Sequence, residues 1–484
     1  MRSRTLKWAA CGLAALTLIR LFVASIAPLA PDEAYYWVWS HAIAAGYLDH
    51  PPMVALWIRA GTALAGDNAI GVRLLGPFAA AFGSVLVYDT AERLFPGRSA
   101  GLTAAALLNG TLVLGVGSVI MTPDTPLLLF WTAALWAGAR LAMGGMPAWW
   151  LAAGVFSGLA LVSKYTGAFL PIGLGLFGLM GMPRVLRRLE PWAGGVIAGV
   201  MFLPVVLWNA QHGWVGFLRQ GGRVGDWRPE RAAQFLGELV GGQIGLATPG
   251  IFVLFAVGIV VAIRMTVRLR DPAWTLLAAL SVPPVLVFVQ HAIGDRVEGN
   301  WPAIVFPAAA VAAAGLPGPV WRRWTGPSCV LGFVIAAGVY GHVLTGWPSI
   351  PGGRDPVARQ LFGWPDLAAS VETVRQTVHA DFIAAEPYGV AAELAWSLPP
   401  DVAVLGFGSH WAFTTLPRAE TGDRYGLLIR PERYGDALDS HEWREVTRLP
   451  DVARTGASGE IERYAVFCVR SAGETTSGML LPHR

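Results

Sequence analysis

Two adjacent acids, Asp32 and Glu33, are the first residues of this 484-residue chain whose types and positions suggest chemistry. They directly follow a long apolar stretch, and Asp49 and His50 come shortly afterwards, where an amphipathic helix is predicted to begin. Partial burial beside a membrane raises the pKa of a carboxyl group, which suits a general base that takes a proton from a hydroxyl near neutral pH. The alternative is an acidic cap that starts an interfacial helix after Pro31.

A third acid, Asp124, lies between two prolines in MTPDTPLLLFW, at the expected outer end of a helix hairpin. Capping of the next helix explains this position, and it does not exclude a second role in a site shared with Asp32. Lys164 is one of only two lysines in the chain and falls in the apolar run LALVSKYTGAFL. An ionisable residue in a membrane helix predicts a functional site with an anionic partner, and extension of the ammonium to the membrane surface is the alternative.

Three outer-loop arginines, Arg219, Arg223 and Arg296, could join this lysine in binding a phosphate through charge-assisted hydrogen bonds. Contacts of these arginines with lipid headgroups or with the C-terminal region would explain their presence in the outer loops equally well. In the segment HAIGDRVEGNWPAIVFP, Asn300 and Trp301 could recognise a sugar through amide hydrogen bonds and stacking. Tryptophan at a membrane interface is, however, ordinarily an anchor.

Several other kinds of site are not indicated by the sequence. It contains no phosphate-binding loop, no dinucleotide fingerprint and no nucleophile elbow. The histidines lack metal-ligand spacing, although a divalent metal ion shared by the acids stays open as a cofactor. The three cysteines imply no disulfide framework. The basic residues do not cluster on one polar face, so nucleic acid is not an expected partner.

Composition predicts a large membrane domain. Hydrophobic residues make up 54% of the chain and charged residues only 14%, compared with about 25% charged residues in soluble domains. About 20 apolar residues cross a bilayer as a helix, and eleven such stretches predict an all-α polytopic domain at residues 1–346 with a small α/β domain at 347–484. The predicted spans are near 8–29, 68–92, 100–120, 125–143, 148–168, 169–183, 191–209, 246–263, 273–291, 301–316 and 327–346. The long first apolar run favours an uncleaved helix over a secretory signal peptide.

The distribution of charge predicts the orientation. Residues 1–346 hold 23 Lys/Arg and 14 acids, and their arginines cluster in alternate loops, which the positive-inside rule assigns to the cytoplasm together with the N-terminus. An odd number of spans then places residues 347–484, with 13 arginines and 18 acids, in the periplasm. Ten of the 14 acids fall in outer loops, of which those near 30–67 and 210–245 are long, and residues 229–246 could form an interfacial helix. This pattern predicts a site on the outer face.

The C-terminal region is predicted to mix helices and strands. Helices are expected near 366–379 and 387–397, and strands at DFIAAE, AVLGFG, YGLLIR and RYAVFCVR, where β-branched and aromatic residues are common. No internal repeat is visible in the chain, which is unlike a transporter built from two related halves.

The motifs DEAYYW, DHPPM, MTPDTPLLLFW, SKYTG and GNWPA, in this order, resemble those of the bacterial polyprenyl-phosphate-sugar-dependent glycosyltransferases of the C-type fold. That family includes protein O-mannosyltransferases and lipid A aminoarabinose transferases. The resemblance covers most of residues 1–346. It implies that Asp32 is the catalytic base, with Glu33 beside it, and that Asp124 is the second acid of the site.

The chain departs from the aminoarabinose transferases at two positions. Those enzymes have an acid-Lys-Pro-Pro motif where this chain has Asp49 and His50 before two prolines, and an arginine where it has Tyr35. Both changes remove fixed positive charge from the expected phosphate site. A protonated His50, Lys164 and an outer-loop arginine would supply it instead, so the resemblance implies the donor class rather than aminoarabinose itself.

The implied reaction is an inverting transfer of a sugar from a polyprenyl phosphate to a hydroxyl of a lipid, polysaccharide or protein acceptor. It would take place at the periplasmic face of a bacterial inner membrane, among membrane lipids. A base activates the acceptor, and cations stabilise the departing phosphate. Two other functions stay open from the residues alone, namely a transporter or flippase of lipid-linked saccharides and a non-catalytic scaffold for polysaccharide assembly.

Overall fold

The structure is a computed structural model that describes residues 2–221, 227–350, 353–436, 438, 442–457, 459–471 and 475–484. These residues form two compact units. The first consists of Met1–Phe22, Asp49–Val54 and Leu75–Val339, and the second of Val23–Leu48, Ala55–Leu74 and Tyr340–Arg484. Neither unit is therefore one continuous stretch of sequence.

Helices make up most of the described residues before Thr345. In chain order, the helices are α1 (Arg2–Ile26), α2 (Pro31–His41), α3 (Met53–Ala65), α4 (Ala69–Arg73), α5 (Leu75–Leu94), α6 (Ala100–Asn109), α7 (Leu112–Gly115), α8 (Asp124–Ala142), α9 (Trp149–Ser163), α10 (Phe169–Gly181), α11 (Glu190–Gln211), α12 (Val215–Gly221), α13 (Ala232–Ala247), α14 (Pro249–Leu269), α15 (Pro272–His291), α16 (Phe306–Ala314), α17 (Pro319–Thr345), α18 (Pro356–Leu361), α19 (Trp364–Thr377) and α20 (Tyr388–Ser397).

Among the described residues, six helices are long and apolar enough to cross a membrane. These are Arg4–Ile26, Ala69–Leu94, Glu190–Gln211, Pro249–Leu269, Pro272–His291 and Pro319–Thr345. The pair Ala100–Asn109 and Leu112–Val119, bent by 72°, makes a seventh if it counts as one span. The other predicted spans fall on α8 and on shorter apolar helices, so the number eleven stays a prediction.

One predicted span is interrupted. The apolar pattern predicts a continuous helix over 148–168, but α9 ends at Ser163 and Lys164 is extended, with φ −158° and ψ 146°. A short 3₁₀ helix, Tyr165–Ala168, follows before α10 begins. The break occurs at the only charged residue of this stretch, because its side chain takes part in the polar cluster described below.

Small residues allow close helix packing in the first unit. Its core contains large buried side chains such as Trp131 and Phe177. Helices α9 and α11 approach closely where Gly154 faces Gly194, since a Cβ atom on Gly154 would clash with the Gly194 carbonyl oxygen. Glycine permits such approaches between membrane helices. This contact fixes α9, which Lys164 follows directly.

The second unit contains a seven-stranded sheet in the order β3-β7-β2-β1-β4-β6-β5. Its strands are β1 (Phe382–Ala385), β2 (Ala403–Gly406), β3 (Arg418–Glu420), β4 (Tyr425–Pro431), β5 (Trp443–Gly456), β6 (Gly459–Ser471) and β7 (Thr475–Leu480). The central strand β1 pairs in parallel with β2 and with β4, and Ile383 lies opposite Val404 and Leu427. All four residues of β1 are buried, as expected of a strand covered on both faces. Helix α20 connects β1 to β2, which confirms the predicted α/β character of this region.

Strands β3, β5 and β7 lack the apolar pattern that predicts β1, β2, β4 and β6. Half of the residues of strand β5 are polar, and the strand contains Pro450 and pairs with β6 through three register shifts. Bulges are common at sheet edges, and proline within a sheet is tolerated at edge strands and bulges; β5 is at the edge of the sheet.

Candidate functional site

Glu33 is fully buried in the second unit, in the first turn of α2. Its Oε2 accepts a hydrogen bond from the Ala30 N–H at 3.0 Å, which is half of a capping box. The Arg73 guanidinium binds both carboxylate oxygens, with Nε 2.7 Å from Oε1 and Nη2 2.6 Å from Oε2. Arg73 also donates to the carbonyl groups of Ala24, Ala27 and Pro28. This pair joins the end of α1 to the start of α2, which favours a structural role for Glu33.

Asp32 is exposed on the same helical turn. Pro31 starts α2, so Asp32 lies in the first turn, where the helix dipole favours a negative charge. The Tyr388 hydroxyl donates to Asp32 Oδ1 at 2.9 Å, across 356 residues of sequence. Asp32 therefore combines exposure with a fixed hydrogen bond, a combination that suits a base acting on a hydroxyl.

Tyr35, one turn further along α2, is buried. Its hydroxyl donates to the His410 carbonyl oxygen at 3.1 Å. Its ring centroid lies 4.3 Å from that of Tyr388 and 5.1 Å from that of Trp411. These are the contacts of a residue that packs α2 against α20 and the loop after β2, so Tyr35 contributes here through packing.

In the first unit, Asp124, Lys164 and Asn300 form one hydrogen-bonded cluster. Lys164 Nζ lies 2.8 Å from Asp124 Oδ1 and 2.9 Å from Oδ2, and Asn300 Nδ2 lies 2.5 Å from Oδ2. Asp124 is 9% exposed and Lys164 only 5%. The ammonium group of Lys164 is therefore buried against the Asp124 carboxylate.

Asp49 contacts one of the predicted arginines. Arg219 Nε lies 3.5 Å from Asp49 Oδ1, and Gln220 donates to the Asp49 carbonyl oxygen at 2.8 Å. Both side chains come from α12, and Arg219 is exposed. His50 is half-buried at the next position. The DHPPM motif is thus held against α12.

Two polar residues connect α12 to the segment that carries Lys164. The Asn209 Oδ1 atom accepts hydrogen bonds from two backbone N–H groups of α12, at 3.0 and 3.2 Å. Its Nδ2 donates to the hydroxyl of Tyr165 at 3.3 Å, and Tyr165 directly follows Lys164. Asp49 also acts electrostatically on Tyr165. The Asp49–Arg219 pair and the Lys164 cluster are therefore linked within one unit.

The contacts described for Arg296 and Trp301 are with other residues. Arg296 is exposed, and its Nε lies 3.4 Å from Glu238 Oε2 on α13. Trp301 packs with ring centroids 6.5 Å from Phe288 and 6.0 Å from His291, which fits an anchoring role. Arg223 lies outside the described residues.

No three His, Cys, Asp or Glu side chains come together as metal ligands in the described part of the chain. The predicted acids contact cations or hydrogen-bond donors instead, as Asp124 does with Lys164. The geometry therefore adds no ligand set for the divalent ion that the sequence leaves open.

Ionisable groups near α2 have shifted pKa values. Burial lowers the pKa of His41, but its hydrogen bonds with Asp67 and the Trp37 carbonyl outweigh this effect and raise the pKa above its ordinary 6.5. Burial raises the pKa of Asp67, but hydrogen bonds with His41 and Trp37 lower it below 3.8. Burial and the nearby Glu33 raise the pKa of Glu393 well above its ordinary 4.5. Burial on α20 thus disfavours the charged form of Glu393.

Comparisons with known proteins agree with this architecture. Residues 49–208 match the family of dolichyl-phosphate-mannose-protein mannosyltransferases. The lipid A galacturonosyltransferase RgtD of Rhizobium johnstonii is 28% identical over 378 residues, which cover 76% of this chain and 77% of that protein. The undecaprenyl phosphate-α-4-amino-4-deoxy-L-arabinose arabinosyl transferase of Erwinia tasmaniensis is 31% identical over 178 residues, or 34% of this chain and 30% of that one.

The crystal structure of ArnT from Cupriavidus metallidurans bound to undecaprenyl phosphate superimposes with a TM-score of 0.63, at 15% identity over 94% of this chain and 97% of that one. The chain is a glycosyltransferase that uses a lipid-phosphate-linked sugar. The predicted enzyme class and fold family of this glycosyltransferase are thereby confirmed, and its fold resembles that of ArnT over nearly the whole chain.

Four residues of this glycosyltransferase are missed by sequence reasoning. Arg73 and Asn209 are polar residues within apolar surroundings, and Tyr165 follows Lys164 directly. Each of these three could have been found by asking which polar side chains lie next to an apolar run. Tyr388 lies in an ordinary helix of the α/β region, and nothing in its local sequence indicates a contact with Asp32.

Proposed function

We propose that this glycosyltransferase transfers a sugar from undecaprenyl phosphate to a hydroxyl of lipid A, on the periplasmic side of the membrane and with inversion. The observation that carries the proposal is the contrast between two adjacent acids. Glu33 is buried and neutralised by Arg73, whereas Asp32 is exposed and hydrogen-bonded by Tyr388. Environments that differ this much assign different tasks to neighbouring carboxylates.

Asp32 acts as the general base in this proposal. Its carboxylate accepts the proton of the acceptor hydroxyl while that oxygen forms a bond to the anomeric carbon of the sugar. The bond from the anomeric carbon to the phosphate oxygen breaks, and its electron pair leaves with the polyprenyl phosphate. A single displacement of this kind inverts the anomeric carbon and requires one base.

Lys164 and Arg219 bind the donor phosphate in this proposal. An ammonium group has three N–H donors, and the two oxygens of Asp124 lie 2.8 and 2.9 Å from Lys164 Nζ. Asp124 therefore orients the ammonium, and Asn300 holds Asp124. Arg219 adds a guanidinium with five donors. Cations positioned in advance stabilise the charge that develops on the leaving phosphate.

Lipid A is the proposed acceptor because RgtD, which matches over 77% of its own length, is named for that acceptor. Galacturonic acid is the proposed sugar for the same reason. The arabinosyl transferase matches over only 30% of its length. This chain also has Tyr35 and His50 at the two positions where that class has cationic residues. The Tyr35 side chain packs against Tyr388 and donates to the His410 carbonyl oxygen.

The test is transfer by the purified protein in liposomes. Undecaprenyl phosphate carrying galacturonic acid, and separately carrying 4-amino-4-deoxyarabinose, is supplied together with lipid A, and lipid A is analysed by mass spectrometry. We expect addition of one hexuronosyl residue and release of undecaprenyl phosphate. Addition of aminoarabinose alone would contradict the proposed sugar. Donor movement across the bilayer without a new glycosidic bond would contradict the proposed reaction.

A further inference from the structure

The start of α20 contacts the start of α2 within the second unit. Besides the hydrogen bond from Tyr388 to Asp32, Gly389 faces Pro31, and a Cβ atom on Gly389 would lie 2.7 Å from Pro31 Cβ. Proline at the first position of α2 cannot move aside without moving the helix. The absence of a side chain at Gly389 is therefore what lets the first turn of α2 lie beside Tyr388.

The position of the Tyr388 ring is fixed by two aromatic neighbours. Its centroid lies 4.3 Å from that of Tyr35 and 4.3 Å from that of His410. Helix α20 connects β1 to β2, which pair in parallel near the middle of the sheet. Tyr388 is half-buried, so packing determines where its hydroxyl lies.

We propose that Tyr388 is a positioning residue of the transfer reaction, through which the C-terminal α/β region orients the carboxylate of Asp32. The inference rests on the proposed role of Asp32 as the base. A hydrogen bond to one carboxylate oxygen fixes the rotation of the group, and so fixes the direction in which the other oxygen accepts a proton. A donated hydrogen bond also favours the ionised carboxylate over the acid, which is the form that a base requires.

Other ionisable groups come close to this contact from each neighbouring element. On α2 and α4, Glu33 and Arg73 neutralise each other. On α20, burial and the nearby Glu33 raise the pKa of Glu393 well above its ordinary 4.5. From the loop after β2, His410 stacks on Tyr388. The exposed Asp32 carboxylate itself accepts a hydrogen bond from the Tyr388 hydroxyl.

The experiment compares Tyr388→Phe with Tyr425→Phe. Tyr425 also donates to a carboxylate, Glu445 Oε2, at 2.8 Å, and it lies in the same sheet unit, so its substitution removes the same kind of bond. Phenylalanine keeps the ring of Tyr388 between its neighbours. Because hydrogen bonds to charged groups are worth more than neutral ones, we expect Tyr388→Phe to lower kcat about tenfold, with the KM of the undecaprenyl-phosphate donor unchanged. We also expect the acidic limb of the pH profile of kcat to lie at higher pH in Tyr388→Phe than in the wild type.

Tyr425→Phe should leave kcat and the pH profile as in the wild type. Equal kcat values and equal acidic limbs in the two variants would overturn the inference. If Tyr388→Phe does not fold, 3-fluorotyrosine is introduced at position 388, because it keeps the hydroxyl and makes it a stronger donor. The acidic limb should then lie at lower pH than in the wild type, and an unchanged limb would overturn the inference.

Failure of this inference can be told apart from failure of the proposed function. If Asp32→Asn abolishes transfer while Tyr388→Phe behaves as Tyr425→Phe, only the positioning role is wrong. If Asp32→Asn retains full transfer, the proposed base is wrong, and the positioning role is overturned with it.

Discussion

The Arg73 guanidinium binds Glu33 through two hydrogen bonds of 2.7 and 2.6 Å, and both side chains are at most 1% exposed. The residue before Glu33 in the sequence, Asp32, is exposed. Of the two adjacent acids, Glu33 thus holds α1, α2 and α4 together, whereas Asp32 is accessible to a substrate. The DEAYYW motif thus places a buried, ion-paired acid and an exposed acid at adjacent positions.

Arg73→Met should destabilise the protein strongly. Loss of the guanidinium leaves the Glu33 carboxylate buried without its counter-ion, which costs about 3–5 kcal/mol of unfolding free energy. The melting temperature in detergent measures this effect. Arg359→Met, which changes an exposed arginine of α18, is the control and should melt as the wild type does. Equal melting temperatures for the two variants would contradict the structural role of the pair.

Lys164→Met should weaken donor binding as well as stability. The substitution removes a cation proposed to bind phosphate and leaves Asp124 buried with Asn300 as its remaining described partner. Because hydrogen bonds to charged groups contribute about 1.5–3 kcal/mol, affinity for undecaprenyl phosphate should fall about tenfold or more. Lys7→Met changes the only other lysine, which is exposed, and is the control. An affinity that matches the Lys7→Met variant would show that Lys164 does not bind the donor.

The His41–Asp67 pair should make stability depend on pH. Because the pKa of His41 is higher in the folded protein than its ordinary 6.5, protonated His41 stabilises the fold below about pH 6.5. This contribution is lost as the pH rises through the pKa of the folded state. Because the pKa of Asp67 is lower in the folded protein than its ordinary 3.8, ionised Asp67 stabilises the fold above about pH 3.8. This contribution is lost as the pH falls through the pKa of the folded state. The difference in melting temperature between wild type and His41→Gln should therefore be larger at about pH 5 than at about pH 9. A difference independent of pH would contradict the ion pair.

The predicted orientation can be tested with reporter fusions. Alkaline phosphatase fused after Arg484 should be active, since the charge distribution places the C-terminal region in the periplasm. The same reporter fused after Arg270, in a loop with three arginines, should be inactive. The reverse pattern would contradict the predicted orientation, and equal activity of the two fusions would contradict an odd number of spans between them.

Much of the fold follows from local sequence. The apolar runs predict the long helices α5, α11, α14, α15 and α17, because burial in lipid requires continuous hydrophobicity. The strands β1, β2, β4 and β6 are similarly visible as apolar β-branched runs. Strand β5 is not, because an exposed edge strand needs no apolar face. The break of α9 at Lys164 is also not predicted, since helix propensity cannot anticipate a polar cluster formed by distant residues.

The candidate site is only partly predictable for the same reason. Asp32, Asp124 and Lys164 stand out because charged residues are rare in apolar sequence. The cost of an isolated buried charge predicts an anionic partner for Lys164, but it does not identify Asp124 as that partner. The contact from Tyr388 to Asp32 depends on how α20 packs against α2, and no local pattern specifies that packing.

Asp32→Asn tests the central claim most directly, with transfer to lipid A in liposomes as the measurement. Asp366→Asn is a matched control, because Asp366 is also an exposed acid that follows a proline in the first turn of a helix. General bases contribute about 100-fold or more to rate, so Asp32→Asn should lose at least that factor in kcat while melting as the wild type does. Asp366→Asn should remain active. Transfer by folded Asp32→Asn at the rate of Asp366→Asn would contradict the assignment of Asp32 as the base.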